Sequence, residues 1–301
     1  MLSADRSHDA AATMTPILPP PDAVIDLLPD AVCVVDAEGR FLFVSAGFER
    51  ILGYAPAEVI GRRAFDFVHE EDRASTMAQA AQIMDGAMQR HFRNRYRHKA
   101  GHLVDMQWSA TWHPSHGVRI GVGREVTELR RAEQQLEYLA HHDALTGLLN
   151  RHALHRALEQ ALDEARRTGG GLSLLFIDLD GFKAANDAGG HEAGDRLLQS
   201  VAACLRQSLR PGDCAGRMGG DEFVVLLPGC VDVDGAAAVA DGIRTRLRLI
   251  AAVAADRHTG IDASIGIACF PAHGHDARAL LAHADHAMYA VKRHRCATPV
   301  A

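Results

Sequence analysis

Leu172 to Ile177 forms an apolar run that leads without a break into Asp178-Leu179-Asp180. The run reads as a strand, and long helical patterns flank it, over Arg151 to Arg167 and Gly194 to Leu209. The first of these ends at Gly169-Gly170-Gly171. Apolar strands are also predicted over Glu222 to Leu227 and Ile261 to Phe270, and helices over Val233 to Ala252 and Arg278 to Arg293. Strands alternating with long helices from His142 to about Pro299 require an α/β layer, with helices packed on a mixed sheet.

The polar ends of these strands carry the chemistry. Asp178 and Asp180 are two residues apart, so in an extended chain they share a face. Asp221-Glu222 follows Gly219-Gly220 and precedes an apolar strand, and a Gly-Gly pair between strand-like segments signals a hairpin turn. If the two strands are neighbours, three or four carboxylates meet at one rim and repel one another unless a cation joins them. Hard oxygen ligands favour Mg²⁺. The plainer alternative is that each carboxylate caps the helix that follows. Lys183 and Lys292 are candidate phosphate ligands or solvated surface charges. Asn186, Asp187, His191 and Asp195 lie in a polar, glycine-rich stretch. They offer the donors and acceptors that a guanine edge requires, or simply a turn and a helix N-cap.

The first half has a different texture. Residues 1 to 21 read as a tail ending in Pro19-Pro20-Pro21. Ala31 to Asp36, a turn at Glu38-Gly39, and Arg40 to Val44 read as a hairpin. Ser45 to Leu52 reads as a short helix stopped by Gly53. Further strands are predicted over His91 to His98, Leu103 to Trp112 and Val118 to Val126. Together they give an α+β domain with an antiparallel sheet. In Glu125 to Asp143, Leu129, Ala132, Leu136 and Leu139 fall at heptad a and d positions. They form either a short coiled-coil seam or a helix packed on its own domain.

The 301 residues are enough for two ordinary domains. The net charge of −6 excludes a general attraction to nucleic acid or anionic lipid, so any phosphate site is built locally. None of the six cysteines forms a C-x-x-C pair, which points to reduced thiols. No apolar run approaches the roughly 20 residues of a membrane helix, and Met1 to Asp26 lacks the apolar block of a signal peptide. The expectation is a cytoplasmic protein without an integral membrane segment.

Five ordered motifs over Asp143 to about Thr298 resemble the GGDEF family of diguanylate cyclases. They are Asp143-Ala-Leu-Thr-Gly-Leu-Leu-Asn-Arg151; Phe176-Ile-Asp-Leu-Asp-Gly-Phe-Lys183 with Asn186-Asp187 and Gly190-His191-x-x-Gly194-Asp195; Arg217-Met-Gly-Gly-Asp-Glu-Phe223; Ser264-Ile-Gly-Ile-Ala268; and Ala284-Asp285-x-Ala287-Met288-Tyr289-x-x-Lys292. Ahead of them, Leu28-Pro-Asp-Ala-Val32, Asp36-x-x-Gly39, Phe48-x-x-Ile51-Leu52-Gly53-Tyr54, His69-x-x-Asp72-Arg73 and Val122-Gly-Arg-Glu-Val-Thr127 resemble a PAS sensor module. The resemblance implies an α+β chain. A tail over 1–21 leads to a PAS domain over 22–127, with an antiparallel sheet and short helices. A helical linker follows over 128–142. A GGDEF domain over 143–298 has a mixed central sheet flanked by helices, like nucleotidyl cyclases.

The resemblance also implies roles. Asp178, the Leu179 carbonyl and Asp221 would hold Mg²⁺ or Mn²⁺. Asp221 would serve as base for a 3′-hydroxyl, with Glu222 supporting the metal site. Asn186 and Asp195 would read guanine, Phe182 would belong to the substrate site, and Lys183 and Lys292 would hold phosphates. Two domains, each with one GTP, would face each other and form cyclic di-GMP and pyrophosphate, as a homodimer through the linker and the PAS domain. Arg210 and Asp213 match the family's R-x-x-D inhibitory site for cyclic di-GMP, or form a solvated turn. The chain departs from the family after Lys292, where Cys296 stands at the usual phosphate-binding Arg; Arg295, one place early, would be the substrate-binding residue reaching the phosphates in its stead. That departure leaves a second reading open, a catalytically weak or inactive receptor for GTP or cyclic di-GMP that signals through protein partners. In the PAS segment His69 and His91 offer possible haem ligands, while His69 also fits an ordinary PAS loop. No flavin-reactive Asn-Cys motif is present.

Overall fold

The computed structural model describes residues 18–86, 89–254 and 262–297. Most of the expected tail therefore lies outside the described residues. The chain divides into two compact units, the first ending at Glu133 and the second starting at Gln134.

The first unit opens with α1 (Pro21–Leu27), which buries none of its residues. Its sheet comprises β1 (Ala31–Asp36), β2 (Phe41–Val44), β3 (Gln89–Arg97), β4 (Leu103–His113) and β5 (Val118–Glu125), in the order β2-β1-β5-β4-β3. Every neighbouring pair is antiparallel. The expected β1–β2 hairpin forms, closed by Arg40 N–H donating to Asp36 Oδ1 at 2.7 Å. The helices are α2 (Ala46–Leu52), α3 (Pro56–Val59) and α4 (Arg73–Met84). On α2 the helical spacing buries Phe48 and Leu52. Phe41 packs edge-on against Phe48 and Phe67, with ring centroids 5.3 and 5.9 Å apart. Helix α5 (Thr127–His141) follows. Within this unit Arg130 on α5 bonds Asp105 at 2.5 Å, and Arg93 pairs with Glu133 at 3.3 Å. Of the heptad residues, Leu129 and Leu136 are 53% and 68% exposed, so α5 does not use them against its own domain.

The second unit contains α6 (Arg151–Thr168), β6 (Leu172–Asp180), α7 (Phe182–Gly189), α8 (His191–Ser208), β7 (Cys214–Gly219), β8 (Glu222–Pro228), α9 (Val233–Ala254), β9 (Asp262–Phe270) and α10 (Ala277–Ala297). The sheet order is β7-β8-β6-β9, with every named pair antiparallel. Its mixed character rests on one parallel bridge, Leu149 with Gly216. β6 is central and buried along its length except at Asp180.

The two faces of β6 serve two cores. Leu175, Ile177 and Leu179 pack with Leu197, Leu205, Ile243 and Leu247 of α8 and α9. Leu172, Leu174 and Phe176 pack with Leu154, Leu158, Leu280 and Met288 of α6 and α10. By alternation Asp178 and Asp180 continue the second face, toward α10. Gly266 on β9 shares that face. A Cβ there would strike the Ala284 carbonyl and Met288 N–H, so the missing side chain lets α10 lie directly on the sheet. No helix among the described residues is long and apolar enough to cross a membrane.

Candidate active site

β6 and β8 bring the two acidic segments together. Their register sets Asp178 opposite Glu222, and Leu179 N–H donates to the Asp221 carbonyl at 3.3 Å. Asp221 lies in the turn just before β8, immediately after Gly219 and Gly220, whose φ angles of +146° and +53° turn the chain from β7 into β8. The expected hairpin and the expected strand adjacency are both present. The carboxylates feel one another. Burial raises the Glu222 pKa, and the charges of Asp178, Asp285 and Asp221 push it further, against the pull of Arg151.

A lysine answers part of this negative charge. Lys292, near the end of α10, places Nζ 2.5 Å from Asp178 Oδ1. Burial works against its ammonium form. The bond to Asp178 and the charges of Asp178, Asp180 and Asp221 outweigh that penalty and hold its pKa above the ordinary lysine value. Among the described residues, no three His, Cys, Asp or Glu side chains converge into a metal-binding group. Asp178 is engaged by Lys292 instead.

Arg295, one helical turn beyond Lys292, pairs with the other aspartate of the strand. Its Nη1 lies 3.3 Å from Asp180 Oδ2, 3.1 Å from Asp262 Oδ2 and 3.0 Å from the Ala263 carbonyl. Ser264 Oγ donates to both Asp180 oxygens at 3.0 and 2.9 Å. Two cations three apart on α10 thus match two carboxylates two apart on β6. Arg295 is committed to this network, and the side chain of Cys296 lies outside the described residues.

Arg217 carries a role that the sequence did not reveal. Its Nη1 donates to Asp143 at 3.1 Å, while Nε and Nη2 donate to the Gly220 carbonyl at 3.0 and 2.8 Å. Asp143 is itself fixed by Thr146 N–H and Oγ, at 2.9 and 2.6 Å. Burial opposes the charge on Asp143, but the Thr146 and Arg217 bonds prevail and its pKa falls below the ordinary value. The domain entrance and the Gly219-Gly220 turn are therefore tied together through one guanidinium. Only the motif membership of Asp143 and Arg217 hinted at this, since 74 residues separate them.

The sequence profile described as "Diguanylate cyclase, GGDEF domain" matches residues 140–297, which include this whole arrangement. The chain belongs to the GGDEF family. The profile of the PAS fold matches residues 21–126, and the first unit is a PAS domain. An uncharacterized signaling protein of Caulobacter vibrioides is 34% identical over 264 residues, covering 86% of this chain and 32% of that protein. The probable diguanylate cyclase DgcE of Escherichia coli is 33% identical over 276 residues, covering 89% and 25%. The diguanylate cyclase TpbB of Pseudomonas aeruginosa is 39% identical over 165 residues, covering 55% and 38%. This GGDEF protein thus spans about a quarter to two fifths of the length of these relatives.

The remaining candidate residues of the GGDEF domain flank the acidic strand ends. Phe182, Lys183 and Asn186 lie on α7, in a stretch whose composition also allowed a plain turn. Phe182 packs against the α8/α9 core, and Lys183 is exposed. Asn186 Oδ1 is buried and has no hydrogen-bond partner among the described residues. Asp195 is exposed on α8. Elsewhere on the domain, Arg210 Nε donates to Asp213 Oδ1 at 3.3 Å, and Nη2 donates to the Pro228 carbonyl at 3.0 Å. The pair lines a cavity of about 420 Å³ together with His142 and Arg206.

Proposed function

We propose that this chain condenses two GTP molecules into cyclic di-GMP and pyrophosphate, under control of its PAS domain. The observation that carries the reading is the register that sets Asp178 against Glu222 with Asp221 at the adjoining turn. The donor set fits a hard divalent cation, since carboxylates and a main-chain carbonyl share one strand end and already repel one another. Asp178, the Leu179 carbonyl and Asp221 are the residues to hold Mg²⁺ or Mn²⁺. The bound ion supplies charge neutralisation at the substrate phosphates.

The chain's own residues do the rest. Asp221 accepts the proton of a GTP 3′-hydroxyl. That oxygen bonds to the α-phosphorus of the opposing GTP, and the bond to pyrophosphate breaks. A second, symmetric transfer closes the ring. Glu222 supports the cation site. Lys292 exchanges Asp178 for a phosphate oxygen, and Lys183 provides a second phosphate contact. Asn186 offers its unpartnered Oδ1 to a guanine N–H, with Asp195 as a second acceptor and Phe182 at the edge of the substrate site. Each domain holds one GTP, so two chains must meet, and the exposed leucines of α5 with the PAS domain are the dimer seam. Positioning two bound substrates removes a large entropic barrier. Arg210 and Asp213 form the site where the product binds and slows turnover.

Incubation of purified protein with GTP and Mg²⁺, with cyclic di-GMP added back in parallel, tests this reading. Product formation that falls as cyclic di-GMP is added supports it. Binding of GTP without turnover in any PAS state overturns it in favour of a receptor. The receptor reading has its own observation, since Arg295 is engaged with Asp180 and Asp262 rather than free for phosphate.

A further inference from the structure

The hairpin that joins β4 to β5 carries two histidines at its tip. The sequence there is His113-Pro114-Ser115-His116-Gly117-Val118, and His113 pairs with Val118 across the ladder. The ring of Pro114 pre-sets the φ that the first corner of a turn needs. Gly117 takes the left-handed φ of +62° that leads the chain into β5. His116 N–H donates to the His113 carbonyl at 3.1 Å, and Gly117 N–H donates to the Pro114 carbonyl at 3.3 Å. The backbone thus holds the turn by itself, and both histidine side chains remain exposed.

Three side-chain atoms meet over this turn. His113 Nδ1 and His116 Nδ1 are 3.1 Å apart, and Ser115 Oγ stands 3.1 Å from each of them. A neutral imidazole has one N–H and one lone pair. With both protons on Nε2, two lone pairs and a hydroxyl oxygen crowd one point. Such a triangle has the size of one face of a coordination shell. Zn–N bonds of about 2.0–2.1 Å set neighbouring ligand atoms about 3.0 Å apart in an octahedral shell and about 3.3 Å apart in a tetrahedral one. The two rings cross at 74°, which lets their in-plane lone pairs converge. Other histidine pairs differ. His98 with His102 and His273 with His283 stack nearly face to face, at 20° and 10°. In those pairs Nδ1 of His98 already accepts from Ala100 N–H, and Nδ1 of His273 from Cys269 N–H, each at 2.9 Å. The turn itself contains no carboxylate, so it suits an ion that prefers imidazole over one that prefers oxygen.

We propose that the β4–β5 hairpin binds a divalent transition-metal ion of the imidazole-preferring class, such as Zn²⁺ or Cu²⁺, through His113 Nδ1 and His116 Nδ1, with Ser115 Oγ as a weaker third ligand. Each ring keeps its proton on Nε2, and the ion takes the two lone pairs that otherwise face each other. Among the described residues no third His, Cys, Asp or Glu converges on this pair, so water completes the shell. The site concerns the PAS hairpin alone. It is separate from the carboxylate set assigned to Mg²⁺, and its test does not require the GGDEF domain to turn over.

The full-length protein has 18 histidines, so the test is a comparison between variants. Zn²⁺ is titrated by calorimetry in excess Mg²⁺, which occupies oxygen-rich sites and leaves imidazoles free. Removing either ring ends the chelation, so His113→Gln and His116→Gln are each expected to weaken Zn²⁺ binding by about tenfold or more. Ser115→Ala is expected to weaken it less. Replacing the stacked pair, His273→Gln with His283→Gln, is expected to leave it unchanged. Circular dichroism checks that each variant is folded. A second measurement needs no variant. Substoichiometric Cu²⁺ added to the unaltered protein is expected to broaden the amide resonances of Ser115, His116 and Gly117 before those of any other residue. Unchanged Zn²⁺ affinity in folded His113→Gln or His116→Gln would overturn the proposal and leave the turn as a hydrogen-bonded hairpin. Broadening that begins elsewhere, or no Zn²⁺ uptake at about 1 mM ion, would overturn it equally.

Discussion

Lys292 Nζ lies 2.5 Å from Asp178 Oδ1, so an ammonium already sits on the carboxylate assigned to a divalent cation. Two cations then compete for one buried acid. Replacing Lys292 by Met leaves Asp178 without its partner and strengthens its pull on a metal ion. The expected outcome for Lys292→Met is a severalfold lower Kd for Mn²⁺ in the absence of nucleotide, read by calorimetry. The same variant is expected to raise KM for GTP at least tenfold. Unchanged Mn²⁺ affinity would show that the ion pair does not contest the site.

Asp221→Ala removes the proposed base and a metal ligand but alters only a half-buried side chain at a turn. Turnover is expected to fall by about a thousandfold or more, from the loss of proton transfer and of cation positioning together. The far-ultraviolet circular dichroism spectrum is expected to stay unchanged. An active variant would refute the assignment.

Arg217 positions the turn without touching the reacting atoms. Arg217→Met frees the Gly220 carbonyl and leaves Asp143 without its cation. The expected cost is about 2 kcal/mol in urea unfolding, typical of breaking a partly buried charged hydrogen-bond pair. A drop in kcat with little change in KM is expected, because the turn carries Asp221 and not the guanine contacts. Asp143→Asn is expected to give a similar but smaller loss, and the two changes to be less than additive.

The raised pKa of Glu222 has a definite sign in stability. A carboxyl whose folded pKa exceeds its unfolded value binds protons more readily when folded, so its contribution declines as pH rises through the folded pKa. Glu222→Gln is therefore expected to raise the urea midpoint at pH 7 relative to the unaltered protein and to have little effect at pH 4. The gain is a fraction of a kcal/mol, since the group is largely screened by solvent. Equal effects at both pH values would contradict the crowding of carboxylates at this strand end.

The α5 seam is open to a simple test. Leu129→Ser with Leu136→Ser changes two exposed side chains, so the monomer fold is expected to survive. Light scattering is expected to show a shift from dimer to monomer, with specific activity falling as protein concentration is lowered. A variant that stays dimeric would place the contact elsewhere.

Much of the architecture was legible. Ala31–Asp36 and Arg151–Thr168 were readable almost to the residue, because alternation and amphipathic spacing there agree with clear turn signals. The acidic strand ends were legible as a pair because each adjoins an apolar run. Helix α4 was not seen, since Arg73–Met84 is rich in Ala, Ser, Thr and Gln and has no clean apolar stripe. Helix α7 was hidden by its Asn, Asp and Gly, which read equally well as a turn. β6 runs three residues further than its apolar pattern because Asp178 and Asp180 are paired with Ser264 and Asp262 on β9. Nor could spacing reveal that Arg295 binds Asp180 or that Arg217 binds Asp143, since those contacts depend on how distant segments pack.

The alternation along β6 leaves that strand no spare register. A slip of one residue would carry Asp178 into the α8/α9 core and turn Leu179 toward Lys292, burying an acid and stranding an amine in the same move. An inserted residue within Leu174–Ile177 is thus more damaging than a substitution at any one of them, because the strand's phase is shared by the two cores and by the chemistry at its end.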